Sequence, residues 1–231
     1  MPPSSIRIHF SRSVFLLGVL PAWCLALFVV RTLRAGIPGY HYVVWNLVLA
    51  VVPAAAALLL VRAERQRATL PEMAGWFALW LLFLPNAPYL LTDLVHLSSR
   101  PPVPLWFDVA MLLSFACTGL LLGFGSTADV HAVIARRFGA AAGWSVALGS
   151  MLLSGLGIYM GRFLRLNSWD AVAHPHRLLG QVAGAVAEPA SNLPGLRVTL
   201  VYGIGLALGY AAIHLILPRD MPRPPGTREV D

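Results

Sequence analysis

Two short segments of the sequence hold most of the polar side chains that could do chemistry. The first runs from Phe83 to His96 and interrupts an apolar stretch with Pro85 and Pro88, which remove two backbone donors and break a regular helix. If helix resumes after Pro88, steps of about 100° per residue place the polar side chains of this segment within an arc of roughly 80°. The side chains that would share this face are Asn86, Tyr89, Asp93 and His96.

The second segment, 157–170, ends another apolar stretch and carries two arginines. On a helix Tyr159 and Arg162 share a face, and Asp170 would fall on that face two turns later. Polar groups within membrane spans are costly, so their convergence is the strongest functional signal in the chain. The predicted candidate site comprises Asn86, Tyr89, Asp93, His96, Asp108, Tyr159, Arg162, Arg165, Asn167 and Asp170.

One chemistry that these residues could support is metal binding. Asp93 and His96 lie one turn apart, and Asp170 and His174 supply further oxygen and nitrogen ligands. No compact metal motif such as H-E-x-x-H accompanies these four candidate ligands. Which cofactor the protein uses, if any, is not readable from the sequence.

A second chemistry is recognition of an anionic or lipid-headgroup ligand. Arg162 and Arg165 are suitable bidentate partners for phosphate or carboxylate, with Asn86, Tyr89 and Asn167 as orienting donors. Such a site fits a small-solute or anion transporter, for which broken helices are typical. It also fits a membrane-embedded enzyme that acts on a lipid-linked substrate.

A third interpretation needs no ligand, because Arg162 could pair with Asp93 or Asp108 in a buried network that only holds the bundle together. The sequence contains no nucleotide-binding loop and no G-x-S-x-G elbow. No catalytic residue is therefore assigned, and whether the protein is an enzyme stays open.

The elements that must position these residues are transmembrane helices. Apolar residues make up 58% of the 231 residues and charged residues only 12%, which excludes an ordinary soluble domain. All 17 basic residues are arginines spaced in twos and threes between apolar runs, a pattern that argues against a nucleic-acid surface. An all-α bundle in the lipid bilayer is predicted, with spans near 13–30, 41–61, 73–91, 106–124, 142–164 and 197–217.

Six spans put both termini on one side of the membrane. Ten arginines fall on that side and seven on the other, so the positive-inside rule predicts cytoplasmic termini and an outward-facing site. We expect one transmembrane domain over 1–217 and a disordered tail over 218–231. A short interfacial helix should begin at Ser126, and the stretch 165–196 should lie on or dip into the outer leaflet.

Glycines spaced four apart should allow close helix packing. They favour contacts within the bundle over a homo-oligomer. The pairs are Gly119 with Gly123, Gly139 with Gly143, Gly157 with Gly161, and Gly205 with Gly209.

The two polar segments together resemble a known bacterial family. The blocks are F-L-P-N-A-P-Y followed by T-D and H-L, and G-I-Y-x-G-R-F-x-R-x-N-S-W-D. They resemble the membrane protein family catalogued as domain of unknown function thirteen sixty-one, over about Trp45 to His214. The resemblance implies a polytopic bacterial membrane protein and carries no activity or catalytic residue with it.

Overall fold

The chain folds as a bundle of helices. The computed structural model describes residues 15–36, 39–164, 176, 180 and 193–216. Within these residues the chain has no β-strand, only an isolated bridge between Arg100 and Val103. Six helices are long and apolar enough to cross a membrane. The predicted all-α, polytopic class is therefore confirmed.

The helices follow the apolar runs and end near their polar or proline-rich borders. A π-helical turn, Phe15–Val19, leads into α1. The bounds are α1 Leu20–Ala35, α2 His41–Arg65, α3 Leu70–Phe83, α4 Asn86–Tyr89, a 3-10 segment Leu90–His96, α5 Leu105–Phe138, α6 Ala140–Phe163 and α7 Leu193–Ile216. The third span thus consists of α3, the short α4 and the 3-10 segment, which together cover Leu70–His96.

Helix α5 is the centre of the bundle. It packs against α1, α2, α4, the 3-10 segment and α6, and α7 packs chiefly against α6. Two apolar clusters form the core, one around Trp80, Met151 and Tyr210 and the other around Leu47 and Phe115. Because α5 contributes to both clusters, it links the two ends of the bundle.

The prediction of a new helix at Ser126 is wrong, because α5 continues without interruption to Phe138. The hydroxyls of Ser126 and Thr127 each donate to the carbonyl of Gly123 at 2.9 Å. Trp80 Nε1 donates to Ser126 Oγ at 3.3 Å, and both hydroxyl residues are buried. Hydroxyls that bond a carbonyl one turn back within a helix cannot cap a second helix. The sequence at Ser126, which predicted a helix start, therefore lies in the interior of α5.

The double-proline break lies against glycines of two neighbouring helices. A Cβ atom at Gly157 in α6 would lie 2.5 Å from Pro85 Cβ, and one at Gly123 in α5 would lie 3.4 Å from the Cβ of Ala87. At Gly119 the added atom would collide with the Ala87 carbonyl. The break is thus enclosed by protein, which is the condition for an irregular backbone at membrane depth.

The other predicted glycine pairs differ in their roles. Gly209 faces the Phe124 ring, whereas Gly205 has no neighbour within 4 Å. The tightest approach of α6 and α7 uses Gly155 and Gly203, where a Cβ at Gly155 would lie 2.6 Å from Gly203 N. Helix contact at these positions allows intramolecular packing, and nothing in it bears on a homo-oligomer.

Several predictions fall outside the described residues. They concern nearly all of the stretch 165–192 and the tail 218–231, with the candidate residues Arg165, Asn167, Asp170 and His174.

Candidate functional site

Polar side chains from five segments meet at one end of the bundle, which we call the polar cap. These segments are α1 and α6 near their C-terminal ends, α2 and α5 near their N-terminal ends, and the end of the third span with the connection that follows it. The residues of the polar cap are Arg31, Tyr40, Tyr42, Asn46, Asp93, His96, Arg100, Asp108 and Arg162.

A buried ion pair forms the base of the polar cap. Arg31 Nε donates to Asp108 Oδ1 at 3.0 Å, and the two side chains are 2% and 0% exposed. The pair joins α1 to α5 and leaves Asp108 Oδ2 buried without a hydrogen-bond partner among the described residues. Because a buried carboxylate oxygen is costly to leave unbonded, Oδ2 is an open acceptor position.

Tyr40 lies between two arginines. The guanidinium carbon of Arg31 lies 4.8 Å from the Tyr40 ring centroid, and that of Arg100 lies 4.3 Å from it. Tyr40 has a left-handed backbone, φ 60°, just before α2 begins. The aromatic ring stabilises both cations through its face, so two positive charges are held near one another.

Asp93 is the second buried acid of the polar cap. It is 2% exposed and accepts a hydrogen bond from Asn46 Nδ2 at 2.9 Å, which joins the 3-10 segment to α2. Arg162, from the last turn of α6, lies near enough for its charge to act on Asp93, Tyr42 and His96. The structure therefore brings together the two polar segments of the sequence.

Arg162 lies near Asp93 without forming an ion pair with it. It makes no ion pair or hydrogen bond with any residue that the structure describes. Tyr42 stacks its ring edge-on against His96, with centroids 5.3 Å apart, and the Tyr42 hydroxyl is buried without a partner in the described chain. Arg100 donates to Ser98 Oγ at 3.0 Å and forms no ion pair in the described part either.

Three predicted site residues make other contacts within the described chain. Asn86 donates to the Phe83 carbonyl at 2.9 Å, so it stabilises the proline break locally. Tyr89 packs against the core cluster around Trp80. Tyr159 is 7% exposed and stacks on Phe163 with centroids 5.6 Å apart.

The metal hypothesis gains no ligand set from the described residues. No group of three or more His, Cys, Asp or Glu side chains among them is arranged to hold a metal ion. Asp93 is buried and bonded to Asn46, while His96 is exposed and lies against Tyr42. Asp170 and His174 are outside the described residues.

Sequence reasoning missed several members of the polar cap. Arg31 and Arg100 were counted only as topological charges, and Tyr40 and Tyr42 as aromatic residues of the membrane interface. Asn46 carried a usable signal, because a lone amide inside the run from Val43 to Val52 is costly unless it is bonded. The pairing of Arg31 with Asp108 spans 77 residues, and no local pattern indicates it.

A second buried polar cluster lies at the opposite end of the bundle. His131 Nδ1 and Tyr210 Oη are 2.8 Å apart, and Tyr210 Oη and His214 Nδ1 are 3.3 Å apart. The two imidazole rings stack with centroids 4.7 Å apart, and Trp144 packs edge-on against both. This cluster ties α5, α6 and α7 together.

Comparison with known proteins gives a family and no activity. A family model described as protein of unknown function (DUF1361) matches residues 45–207, which is more than half of the chain. No curated protein and no solved structure matches the chain.

Proposed function

We propose that this chain, which belongs to the family of proteins of unknown function (DUF1361), is a multi-pass membrane protein that binds an anionic group at its polar cap. The ligand class is a phosphate or carboxylate, carried by a small solute or by a lipid headgroup. The observation that carries the proposal is the charge imbalance of the cap.

The charged side chains of the polar cap form two groups: a paired half that is bonded within the protein, and an open half that is not bonded to a carboxylate in the described chain. Arg31 is neutralised by Asp108, and Asp93 is bonded to Asn46. Arg100 and Arg162 have no carboxylate bonded to them in the described chain. Arginine binds phosphate and carboxylate in a bidentate manner, so these two guanidinium groups are suited to an anion that bridges them.

Two unpartnered polar atoms extend this match. The buried Tyr42 hydroxyl is a donor that could bond an anionic oxygen, and Asp108 Oδ2 is an acceptor that could bond a ligand hydroxyl. The paired half then has a structural role, because it fixes α1 on α5 and α2 on the third span. The buried network that holds the bundle together is therefore one part of the polar cap, and the anion-binding residues are the other.

Transport receives less support than binding. A translocation path through the bundle would use the broken third span, yet the break is filled by the glycine faces of α5 and α6. The packing there favours a site that is entered from one membrane face. We assign no catalytic residue.

The same arrangement favours the outward orientation of the polar cap. Arg31, Arg100 and Arg162 belong to this site, so they are poor indicators of topology. Without these three arginines, the excess of arginines on the side of the termini is larger, which supports cytoplasmic termini. The location that we propose is a bacterial inner membrane.

The test is a titration of the full chain in phosphatidylcholine nanodiscs with inorganic phosphate, followed by phosphorus NMR. We expect Arg162→Gln to weaken binding about tenfold or more, because a charge-assisted hydrogen bond is lost. Arg34→Gln is the matched control, since Arg34 is exposed at the same end and lies against the Phe107 ring. Equal loss in both variants would show that phosphate responds only to surface charge, and the proposal would fail.

A further inference from the structure

A lateral cleft opens at the end of the bundle opposite the polar cap. It has a volume of about 180 Å³ and lies between α2, α3 and α5. Along α5, Asp108 of the polar cap and Val133 of the cleft are separated by about 37 Å, at about 1.5 Å per residue. The hydrocarbon core of a bilayer is about 30 Å thick, so the cleft lies at the other membrane interface.

The cleft is lined almost entirely by apolar side chains and opens at the surface of the bundle. Leu60, Met73, Phe77 and Val133 line its interior. Phe138 is 66% exposed at its border, and so presents a large apolar side chain where lipid tails would contact the protein. A surface of this shape is complementary to an acyl chain.

One charged residue lines the cleft among the residues that the structure describes, and it is Arg137. Its neighbour Arg136 is bound to Glu64, with Nε donating to Oε1 at 3.1 Å, so that charge is neutralised. Arg137 is exposed and has no ion pair or hydrogen bond within the described chain. The cleft therefore combines an acyl-sized apolar surface with one uncompensated cation at the depth of the lipid headgroups.

We infer that this cleft is a binding site for an anionic phospholipid of the surrounding bilayer, with one acyl chain between α2, α3 and α5 and the phosphate against Arg137. Basic pockets between transmembrane helices recognise anionic headgroups by this combination of charge and apolar contact. The anionic headgroup distinguishes this occupant from the zwitterionic lipid that contacts any apolar helix surface. The inference concerns a different end of the molecule from the polar cap and does not depend on the proposed function.

The test is a titration of delipidated full-length protein in detergent with phosphatidylglycerol and, separately, with phosphatidylcholine of identical acyl chains, followed by native mass spectrometry. We expect phosphatidylglycerol to bind more tightly, and Arg137→Gln to reduce that preference about fivefold. Arg136→Gln is the matched control and should keep the preference, since Arg136 is already bonded to Glu64. Loss in both variants, or no preference in the parent protein, would overturn the inference.

A second pair of variants tests the acyl part of the site without changing charge. Ala74 lines the cleft, whereas its neighbour Gly75 has no atom within 4 Å of a built Cβ. Ala74→Leu should fill the cleft and lower the number of tightly bound phosphatidylglycerol molecules by one, while Gly75→Leu should leave that number unchanged. Retention of the lipid in the Ala74→Leu protein would show that the chain does not occupy the cleft.

Discussion

The carboxylates of Asp93 and Asp108 are both buried, yet their partners differ in kind. Asp108 is paired with a full positive charge on Arg31, whereas Asp93 is held by the neutral amide of Asn46. Arg162, the partner that the sequence suggests for Asp93 or Asp108, forms no ion pair in the described chain. At the scale of residues, the polar cap therefore contains one complete ion pair, between Arg31 and Asp108, and one arginine, Arg162, without an ion-pair partner in the described chain.

The closed pair leads to a stability prediction. Asp108→Ala should lower the free energy of unfolding by about 3–5 kcal/mol, because it leaves the Arg31 guanidinium buried and uncompensated. The double variant Arg31→Met with Asp108→Leu should recover most of that loss, since it replaces both charges by apolar side chains. Unfolding in detergent, followed by circular dichroism, measures both values. A double variant no more stable than Asp108→Ala would contradict the view that burial of a lone charge causes the loss.

Single residues were predictable where the sequence placed an ionisable group inside an apolar run. This signal singled out Asp93, Asp108 and Arg162, and the structure places all three at the same end of the bundle. It did not identify Arg31, because an arginine that closes an apolar run is also what topology requires. The pairing itself depends on the packing of α1 against α5, which a single sequence does not encode locally.

At the scale of elements, the third span is shaped by its neighbours as much as by its prolines. Pro85 and Pro88 predict a break, and the structure has α4 followed by a 3-10 segment instead of a resumed α-helix. Within the described chain the polar face expected from a resumed α-helix is therefore divided: Asp93 and His96 contact residues of the polar cap, whereas Asn86 bonds the Phe83 carbonyl and Tyr89 packs against the core cluster around Trp80. A 3-10 helix has about 3.0 residues per turn, so the α-helical spacing overestimated how well these side chains align.

The glycines that pack against the double-proline break lead to a second prediction. Gly157→Ala should lower the free energy of unfolding by about 1–3 kcal/mol, because its new Cβ would collide with the Pro85 ring. Gly149→Ala in the same helix is the matched control. Its Cβ would meet no atom within 4 Å, so the higher helix propensity of alanine should stabilise the protein by up to about 1 kcal/mol. Equal effects in the two variants, measured by thermal unfolding in detergent, would contradict the packing account.

Helix α5 shows why element boundaries were harder to predict than the elements themselves. Its serine and threonine at 126 and 127 match a capping pattern, and the same hydroxyls can bond a carbonyl one turn back. Burial against Trp80 favours the second arrangement. Tertiary contact therefore decided between two local structures that the sequence allows equally well.

At the scale of the whole molecule, composition and the spacing of apolar runs were sufficient to predict a helical bundle with six membrane spans. The order of the spans also brings the ends of α1 and α6 and the starts of α2 and α5 to one side, and this is why the polar cap forms there. The direction of the bundle in the membrane is a further prediction. It follows from the arginine bias and from the assignment of Arg31, Arg100 and Arg162 to the polar cap.

Cysteine labelling tests that direction. In a background in which Cys24 and Cys117 are alanine, Ser99→Cys should react with a membrane-impermeant maleimide added to intact cells. Gln66→Cys should react only after the membrane is opened, because residue 66 lies at the opposite end of the bundle. Both positions are exposed, so accessibility within the protein is matched. The reverse pattern would place the polar cap in the cytoplasm.

The central claim is that Arg162 and Arg100 lack carboxylate partners because they bind an anionic ligand. The most direct measurement is an experimental structure of the full chain in phosphatidylcholine nanodiscs with saturating inorganic phosphate. We predict density for an anion about 3 Å from the guanidinium groups of Arg162 and Arg100, near the Tyr42 hydroxyl. A structure in which Arg162 instead pairs directly with Asp93, with no anion at the polar cap, would contradict the claim and leave this end of the bundle with a structural role alone.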